Sequence, residues 1–116
     1  YVAPGRSVDW LLAERRLVVV LALLFARPLD AGHFWNVNLP NPAGDVVDLP
    51  VVFCNLDTRP HGVRYRQEEG ETQASSLRFL YTGDYHNRPR QAGRDVDVCM
   101  SGRIAVTKVT LEIAVE

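Results

Sequence analysis

The stretch GDYHNRPRQAGRDVDVCMSGRIAVTKVTL, residues 83–111, carries most of what the sequence says about fold and function. It opens with a polar loop over residues 83–94 that is rich in arginine and carboxylate side chains. A short helical segment with Asp95 near its start then leads to a turn at Ser101 and Gly102. The following run, residues 103–113, is apolar and β-branched, which predicts a terminal strand. Together with the segments before it, this order predicts a fold of mixed α and β elements.

The N-terminal part of the chain predicts one long helix over residues 8–27. Ser7 or Asp9 can cap its start, and Pro28 ends it. Residues 17–26 are all apolar, but this run is too short to cross a bilayer, which needs about 20 residues. A helix that is apolar nearly all round is normally buried, with an interface helix or a targeting segment as the alternatives. We expect it to need more cover than the rest of this chain supplies.

Three strand-like regions follow the helix. Residues 34–39 alternate between apolar and polar side chains, which predicts a strand with one apolar face, and residues 51–56 predict a second strand. Residues 63–67 and 77–82 predict the two arms of a hairpin over 63–82, whose acidic connection is an exposed tip. Arms of this kind often project and pair with another subunit, which is a hypothesis for this chain.

Composition excludes several classes of function. Thirteen basic and fourteen acidic residues give a net charge of −1, so nucleic acid and anionic membranes are not expected partners. Cys54 and Cys99 have no CxxC spacing and are expected in apolar strand-like segments, which favours a reducing, cytoplasmic setting. The histidines form no metalloprotease pattern and are expected at turns or on the surface: His33, His61 and His86.

The polar loop allows two interpretations. In the first, its arginines hold a phosphate while neighbouring rings stack on a base; these residues are Arg88, Arg90 and Arg94 with Tyr81, Tyr85 and His86. In the second, a solvated arginine loop pairs with nearby carboxylates, namely Asp84, Asp95 and Asp97.

Residues 95–98 match the DxDx[T/V] nucleophile pattern of haloacid-dehalogenase phosphatases only superficially. That chemistry needs the first aspartate at the end of a buried strand, whereas QAGR precedes it here and predicts a loop. We expect Asp95 to cap the short helix instead, with one carboxylate pairing with Arg90, Arg94 or Arg103.

Several blocks, taken in order, resemble the SurE family of stationary-phase survival proteins. FWNVNLP at 34–40, after a helix and a Pro-Leu-x-x-Gly turn, is similar to the family's LNVNxP strand. FCNLDTRP at 53–60, GDYHNRP at 83–89 and DVDVCMSGRIAVT at 95–107 are similar to C-terminal blocks of one branch. The family signature G-[ST]-D…G-x-[IV]-[AS]-V-T reads here as GRD at 93–95 and GRIAVT at 102–107, with Arg94 replacing the usual small hydroxyl residue.

The resemblance implies a fold and an activity. SurE proteins have a three-layer, Rossmann-related α/β fold, and this chain would be its C-terminal part: one long helix, then a β-rich region with a projecting hairpin. The family comprises cytoplasmic, metal-dependent 5′/3′-nucleotidases, also classed as acid phosphatases, which hydrolyse nucleoside monophosphates and form homo-dimers or tetramers.

The same resemblance limits what this chain does. The family holds Mg²⁺ or Mn²⁺ through an Asp-Asp pair, a Ser and an Asn of its N-terminal half, and none of these can be carried over to this sequence. We therefore predict no catalytic and no metal-binding residue here, leave the substrate-binding residues unassigned, and expect the chain alone to be inactive. The alternatives are a non-catalytic oligomerisation module and a small nucleotide-binding domain that uses the arginine loop.

Overall fold

The computed structural model describes residues 2, 5–41, 46, 48–60, 62–67 and 78–111. The chain divides into two compact units: residues 1–57 with 90–116, called the sheet unit below, and residues 58–89, called the hairpin unit. The described residues form, in chain order, α1 (Trp10–Phe25), β1 (His33–Asn38), β2 (Val51–Phe53), β3 (Tyr65–Gln67), β4 (Phe79–Tyr81), α2 (Asp95–Met100) and β5 (Ile104–Thr110).

The sheet unit is built around β5, the central strand of a three-stranded sheet with the order β1-β5-β2. Strand β1 runs antiparallel to β5 and places Val37 opposite Val106. Strand β2 runs parallel to β5 and places Phe53 opposite the same valine. The β-branched residues of β5 suit this central position, because both faces of its first half are buried.

Helices cover both faces of this sheet. Successive side chains of a strand point to opposite faces, and β5 uses both. On one face, Ile104 and Val106 pack against Val20 and Leu24 of α1. On the other face, Ala105 packs with two residues of α2, Val98 and Cys99. The unit therefore has an α/β architecture, in agreement with the predicted fold class.

Helix α1 has one covered face and one uncovered face. Asp9 caps it by accepting a hydrogen bond from the Leu12 N–H at 3.0 Å, and the buried residues Arg16, Val20 and Leu24 recur every fourth position. A second apolar stripe lies opposite, where Leu11, Val18 and Phe25 are 71, 62 and 85% exposed. Helix α1 is therefore covered on one face only by this chain, in agreement with the expectation that it needs more cover than the chain supplies. No helix in the described ranges is long and apolar enough to cross a membrane.

Arg16 ties α1 to the segment that follows β1. It is only 4% exposed, although it carries a charge. Its guanidinium donates hydrogen bonds to the carbonyl oxygens of Pro40, at 3.0 Å, and of Val46. Burial of a charged group is tolerated here because these carbonyl oxygens replace part of its lost hydration. No local sequence pattern indicates this structural role of Arg16.

The element bounds differ from those predicted. Helix α1 is two residues shorter at each end than 8–27, and β1 lies one residue earlier than 34–39. Strand β2 ends at Phe53 rather than at 56, and β5 covers Ile104–Thr110 of the predicted 103–113, of which 112 and 113 lie outside the described residues. The predicted arms 63–67 and 77–82 contain the shorter strands β3 and β4, and the tip over 68–76 also lies outside the description.

The turn between α2 and β5 has the form of a Schellman motif. Gly102 has φ +79°, a conformation that glycine adopts without steric penalty. Its N–H donates to the Cys99 carbonyl at 3.0 Å, and the Arg103 N–H donates to the Val98 carbonyl at 3.1 Å. This turn directs the chain from the short helix straight into the central strand.

The two cysteines occupy different surroundings, and both are free thiols. Cys99 was expected in a strand-like segment but lies in α2. There it is buried with Val98 against Ala105 of the sheet. Cys54 follows β2 and is half-buried. Burial raises the pKa of the Cys99 thiol.

We expect Cys99 to resist alkylation in the folded chain. The thiolate is the reactive form, and burial both raises the thiol pKa and blocks access. Iodoacetamide labelling followed by mass spectrometry should modify Cys99 slowly in buffer and rapidly in concentrated urea. Cys54 serves as the internal comparison, and equal labelling of Cys99 before and after unfolding would contradict the packing of α2 on the sheet.

Candidate functional site

The predicted polar loop is divided between the two units. Arg88 belongs to the hairpin unit, whereas Arg90 and Arg94 belong to the sheet unit. The three arginines that were considered together as a phosphate site therefore belong to two different units.

The sheet unit contains a set of three aspartates, here called the carboxylate clasp: Asp57, Asp95 and Asp97. The Asp95 carboxylate accepts a hydrogen bond of 2.6 Å from the Asp57 N–H, while the Asp95 N–H donates to the Asn55 carbonyl at 3.0 Å. The Asp57 carboxylate accepts from the Gln91 N–H at 2.9 Å. The clasp thus joins the segment after β2 to the segment before α2, two stretches that are more than thirty residues apart in sequence.

The clasp also sets the shape of the loop that precedes α2. The Asp97 carboxylate accepts from the Gly93 N–H at 2.9 Å and lies 3.5 Å from Arg90 Nε. This ion pair agrees with the interpretation in which the loop arginines pair with nearby carboxylates. The expected capping role of Asp95 is wrong, however. Arg94 is the N-cap residue without a side-chain hydrogen bond, and the buried Asp95 carboxylate accepts from Asp57 instead.

The clasp does not have the character of a metal centre. Within the described ranges, no group of three or more His, Cys, Asp or Glu residues is arranged to hold a metal ion. Each clasp aspartate accepts a backbone N–H, and such donors compete with a cation for carboxylate oxygens. The arrangement suits a structural role in which carboxylates satisfy loop N–H groups.

The hairpin unit positions the other half of the polar loop. Strands β3 and β4 are antiparallel, with Tyr65 opposite Tyr81 and the two rings in edge-to-face contact at 5.7 Å. The Thr82 N–H extends the ladder by donating to the Arg64 carbonyl at 2.8 Å. After Gly83, the Asp84 carboxylate accepts from the N–H groups of His86 and Asn87, at 3.1 and 3.2 Å, which closes a tight turn.

This turn and the end of the hairpin enclose a cleft of about 320 Å³. Two arginines and two tyrosines are among the residues that line it: Arg64, Arg88, Tyr81 and Tyr85. The Arg88 guanidinium lies 5.7 Å from the centre of the Tyr85 ring, within the range of a cation–π contact. The hydrogen bond from the Asn87 side chain, at 2.6 Å, is the main cause that lowers the pKa of Asp84.

The remaining candidate residues are scattered. His33 begins β1, and one of its ring nitrogens lies 3.1 Å from the Ala31 carbonyl oxygen. His86 is exposed beside Tyr85, with ring centres 5.9 Å apart. His61 lies outside the described residues. Sequence reasoning missed Asp57 and Arg64 as site residues. The alternation of arginines in VRYRQ was a signal for Arg64, whereas nothing local marked Asp57.

Comparison with known proteins adds sequence relatives. No protein-family model matches the chain. A protein with the provisional name 5′-nucleotidase alr3139, from Nostoc sp. strain PCC 7120, is 39% identical over 109 residues, which are 94% of this chain and 45% of that protein. A protein of the same provisional name from Synechocystis sp. strain PCC 6803 is 36% identical with the same coverage. The 5′-nucleotidase SurE of Neisseria meningitidis serogroup A is 29% identical over 115 residues, which are 96% of this chain and 43% of that protein.

The chain therefore spans less than half the length of the curated relatives that it matches. The match runs along nearly all of the described elements, from α1 to β5. These relatives agree with the resemblance that the sequence blocks indicate, because the chain is similar in sequence to curated proteins named 5′-nucleotidase, one of which is a SurE protein.

Proposed function

We propose that this chain is the C-terminal portion of a metal-dependent 5′/3′-nucleotidase that hydrolyses nucleoside monophosphates. In this proposal the chain supports assembly of the enzyme into homo-dimers or tetramers and forms one side of the substrate pocket. The names of its relatives support a nucleotidase, and the similarity extends over 94% of the chain.

One structural observation carries the proposal, namely the uncovered stripe of α1. Leu11, Val18 and Phe25 expose most of their apolar surface, and the neighbouring Trp10 is 76% exposed. Contiguous apolar surface of this kind marks a protein interface. More than half of each curated relative has no counterpart in this chain, so its relatives contain enough additional protein to cover the stripe.

The proposal assigns the metal to the remainder of the enzyme. The described residues of this chain do not fit a site for Mg²⁺ or Mn²⁺, because they bring together no sufficient set of oxygen ligands. In this proposal, none of the described residues has a catalytic role. Its contribution is the framework of β2, β5 and α2, in which the carboxylate clasp fixes the loops after β2 and before α2.

Reconstitution of activity from two parts tests the proposal. The unmatched portion of the Nostoc relative would be expressed separately, mixed with this chain, and assayed for phosphate release from AMP with Mg²⁺ or Mn²⁺. We expect no turnover by either part alone and metal-dependent turnover by the mixture. Turnover of AMP by this chain alone would contradict the proposal.

A non-catalytic oligomerisation module is the main alternative. It predicts that the two parts do not restore activity, while this chain still self-associates. Size-exclusion chromatography with light scattering, run on the same samples, separates the two outcomes because it reports assembly independently of turnover.

A further inference from the structure

We propose that Cys54 and Cys99 form an oxidation-sensitive thiol pair, which closes to an intramolecular disulfide when a peroxide is present. Both cysteines are free thiols in the structure. They belong to the sheet unit, and the whole hairpin unit lies between them in the sequence. The proposal concerns a covalent modification of the chain itself, so it does not depend on the nucleotidase function proposed above.

Both thiols lie on the same face of the central sheet. Cys54 follows β2, and its N–H donates to the Val106 carbonyl at 2.9 Å, which continues the pairing of β2 with β5. Its Sγ lies 3.9 Å from Thr107 Oγ1, and Thr107 shares a face with Ala105 because strand side chains alternate. Helix α2 covers this face, and Cys99 is one of the residues with which it does so.

Cys54 packs against the buried cluster that contains Cys99. This cluster consists of Val98, Cys99 and Ala105, which are 0, 5 and 0% exposed. Ala105 has the smallest side chain of β5, so α2 can approach the sheet closely at this point. Burial is the main cause that raises the pKa of the Cys99 thiol, and the charge of nearby Cys54 adds to the rise. The chain contains no third cysteine, so each thiol has only the other as a partner within the chain.

The two thiols differ in their access to solvent, which assigns them different roles. Cys54 is half-buried, so a small oxidant can reach its sulfur, whereas Cys99 is shielded. The Cys54 thiolate attacks one oxygen of hydrogen peroxide, the O–O bond breaks, and Cys54 becomes a sulfenic acid while the released hydroxide takes a proton to form water.

The second step closes the disulfide. The Cys99 sulfur attacks the Cys54 sulfur, the S–O bond breaks, and the released hydroxide takes the Cys99 proton to form a second water. The thiol pair thus loses two electrons, and one peroxide molecule is reduced to two waters. Burial of Cys99 does not prevent this step, because its reaction partner is a packed neighbour rather than a reagent from solvent.

Closure would join α2 covalently to the end of β2. The clasp already connects the same two segments, through the hydrogen bond from the Asp57 N–H to the Asp95 carboxylate. The disulfide would therefore reinforce an existing connection, and it would also restrict the unfolded chain. A pair that opens and closes in this way suits a reducing compartment, where disulfides are usually transient and redox-sensing.

Treatment of the full 116-residue chain with hydrogen peroxide, followed by alkylation and non-reducing peptide mass spectrometry, tests the proposal. At low protein concentration we expect two peptides linked through Cys54 and Cys99 as the main product, and dithiothreitol should separate them. Dimedone traps sulfenic acids, so it should label Cys54 at least about fivefold more in Cys99→Ala than in the wild-type chain, because the resolving thiol is absent. Circular dichroism verifies that this variant folds.

Cys54→Ser is the matched control, and it keeps its value if Cys99→Ala does not fold. It removes the thiol that meets the oxidant first, so Cys99 should stay unoxidised at the peroxide concentration that closes the wild-type pair. Oxidation should raise the urea midpoint of the wild-type chain and leave that of Cys54→Ser unchanged. The proposal is overturned if peroxide links only separate chains, if dimedone labels Cys54 equally with and without Cys99, or if Cys99 is oxidised equally in Cys54→Ser.

Discussion

Replacement of Val18 and Phe25 by glutamate should abolish reconstitution of nucleotidase activity while leaving this chain folded. Both side chains are mostly exposed, at 62 and 85%, so their replacement removes little packing from the chain itself. Surface changes of this kind usually alter the free energy of unfolding by about 0.5 kcal/mol or less. If the stripe of α1 is covered in the assembled enzyme, the two carboxylates would be buried without partners, which costs several kcal/mol.

The expected result is a drop in activity of more than about a hundredfold at limiting concentrations of the two parts, measured as phosphate release from AMP. Leu111→Glu is the control. It introduces such a charge at an apolar residue of the sheet unit that is 57% exposed and lies directly after β5, outside α1. Wild-type activity in the Val18/Phe25 variant would mean that the stripe stays uncovered in the assembled enzyme. The proposal that this chain is the C-terminal portion of a larger nucleotidase would then lose its main structural support.

The second large effect concerns stability and the carboxylate clasp. Asp95→Ala should lower the free energy of unfolding by about 2 kcal/mol, since it leaves the part-buried Asp57 N–H without its 2.6 Å acceptor, the carboxylate of the buried Asp95. The change also removes a negative charge from the first turn of α2, where the helix dipole favours one. A loss of this size is a considerable part of the 5–15 kcal/mol that is typical of a domain.

Urea unfolding followed by circular dichroism measures this loss. Asp95→Asn should cause a smaller loss, because its amide oxygen can still accept from the Asp57 N–H. Asp97→Ala provides the comparison, since this side chain is more exposed and its ion pair with Arg90 is partly screened by solvent. Equal losses for Asp95→Ala and Asp97→Ala would indicate that burial of Asp95 contributes nothing beyond an ordinary loop hydrogen bond.

Local sequence patterns predicted where α1 begins and where β5 begins, because both points depend on neighbouring residues in the sequence. The start of α1 follows from the capping residue Asp9, and the entry into β5 follows from the Gly102 turn and the β-branched run after it. Burial could not be predicted in the same way. An apolar pattern all round α1 indicates two apolar faces, but it does not say which face the chain itself covers.

The remaining differences come from contacts between distant residues. Strand β2 was predicted to continue to 56, yet Asn55 and Asp57 instead form hydrogen bonds with Asp95 and Gln91, 34 or more residues further along the chain. No local pattern contains that information. The same holds for the cleft, because Arg64 and Arg88 come together only through the pairing of β3 with β4 and the Asp84 turn.

The hydrogen bond from the Gln91 N–H to the Asp57 carboxylate affects which parts of the chain can change in length during evolution. It fastens the two points at which the chain leaves and re-enters the sheet unit, so the 32 residues between them, 58–89, form an inserted segment with its base already closed. The entropy of closing such a segment grows only slowly with its length, by about 0.6 kcal/mol per doubling. Evolution can therefore lengthen, shorten or replace this insertion, and with it any ligand preference that it carries, while the core around β5 keeps its packing.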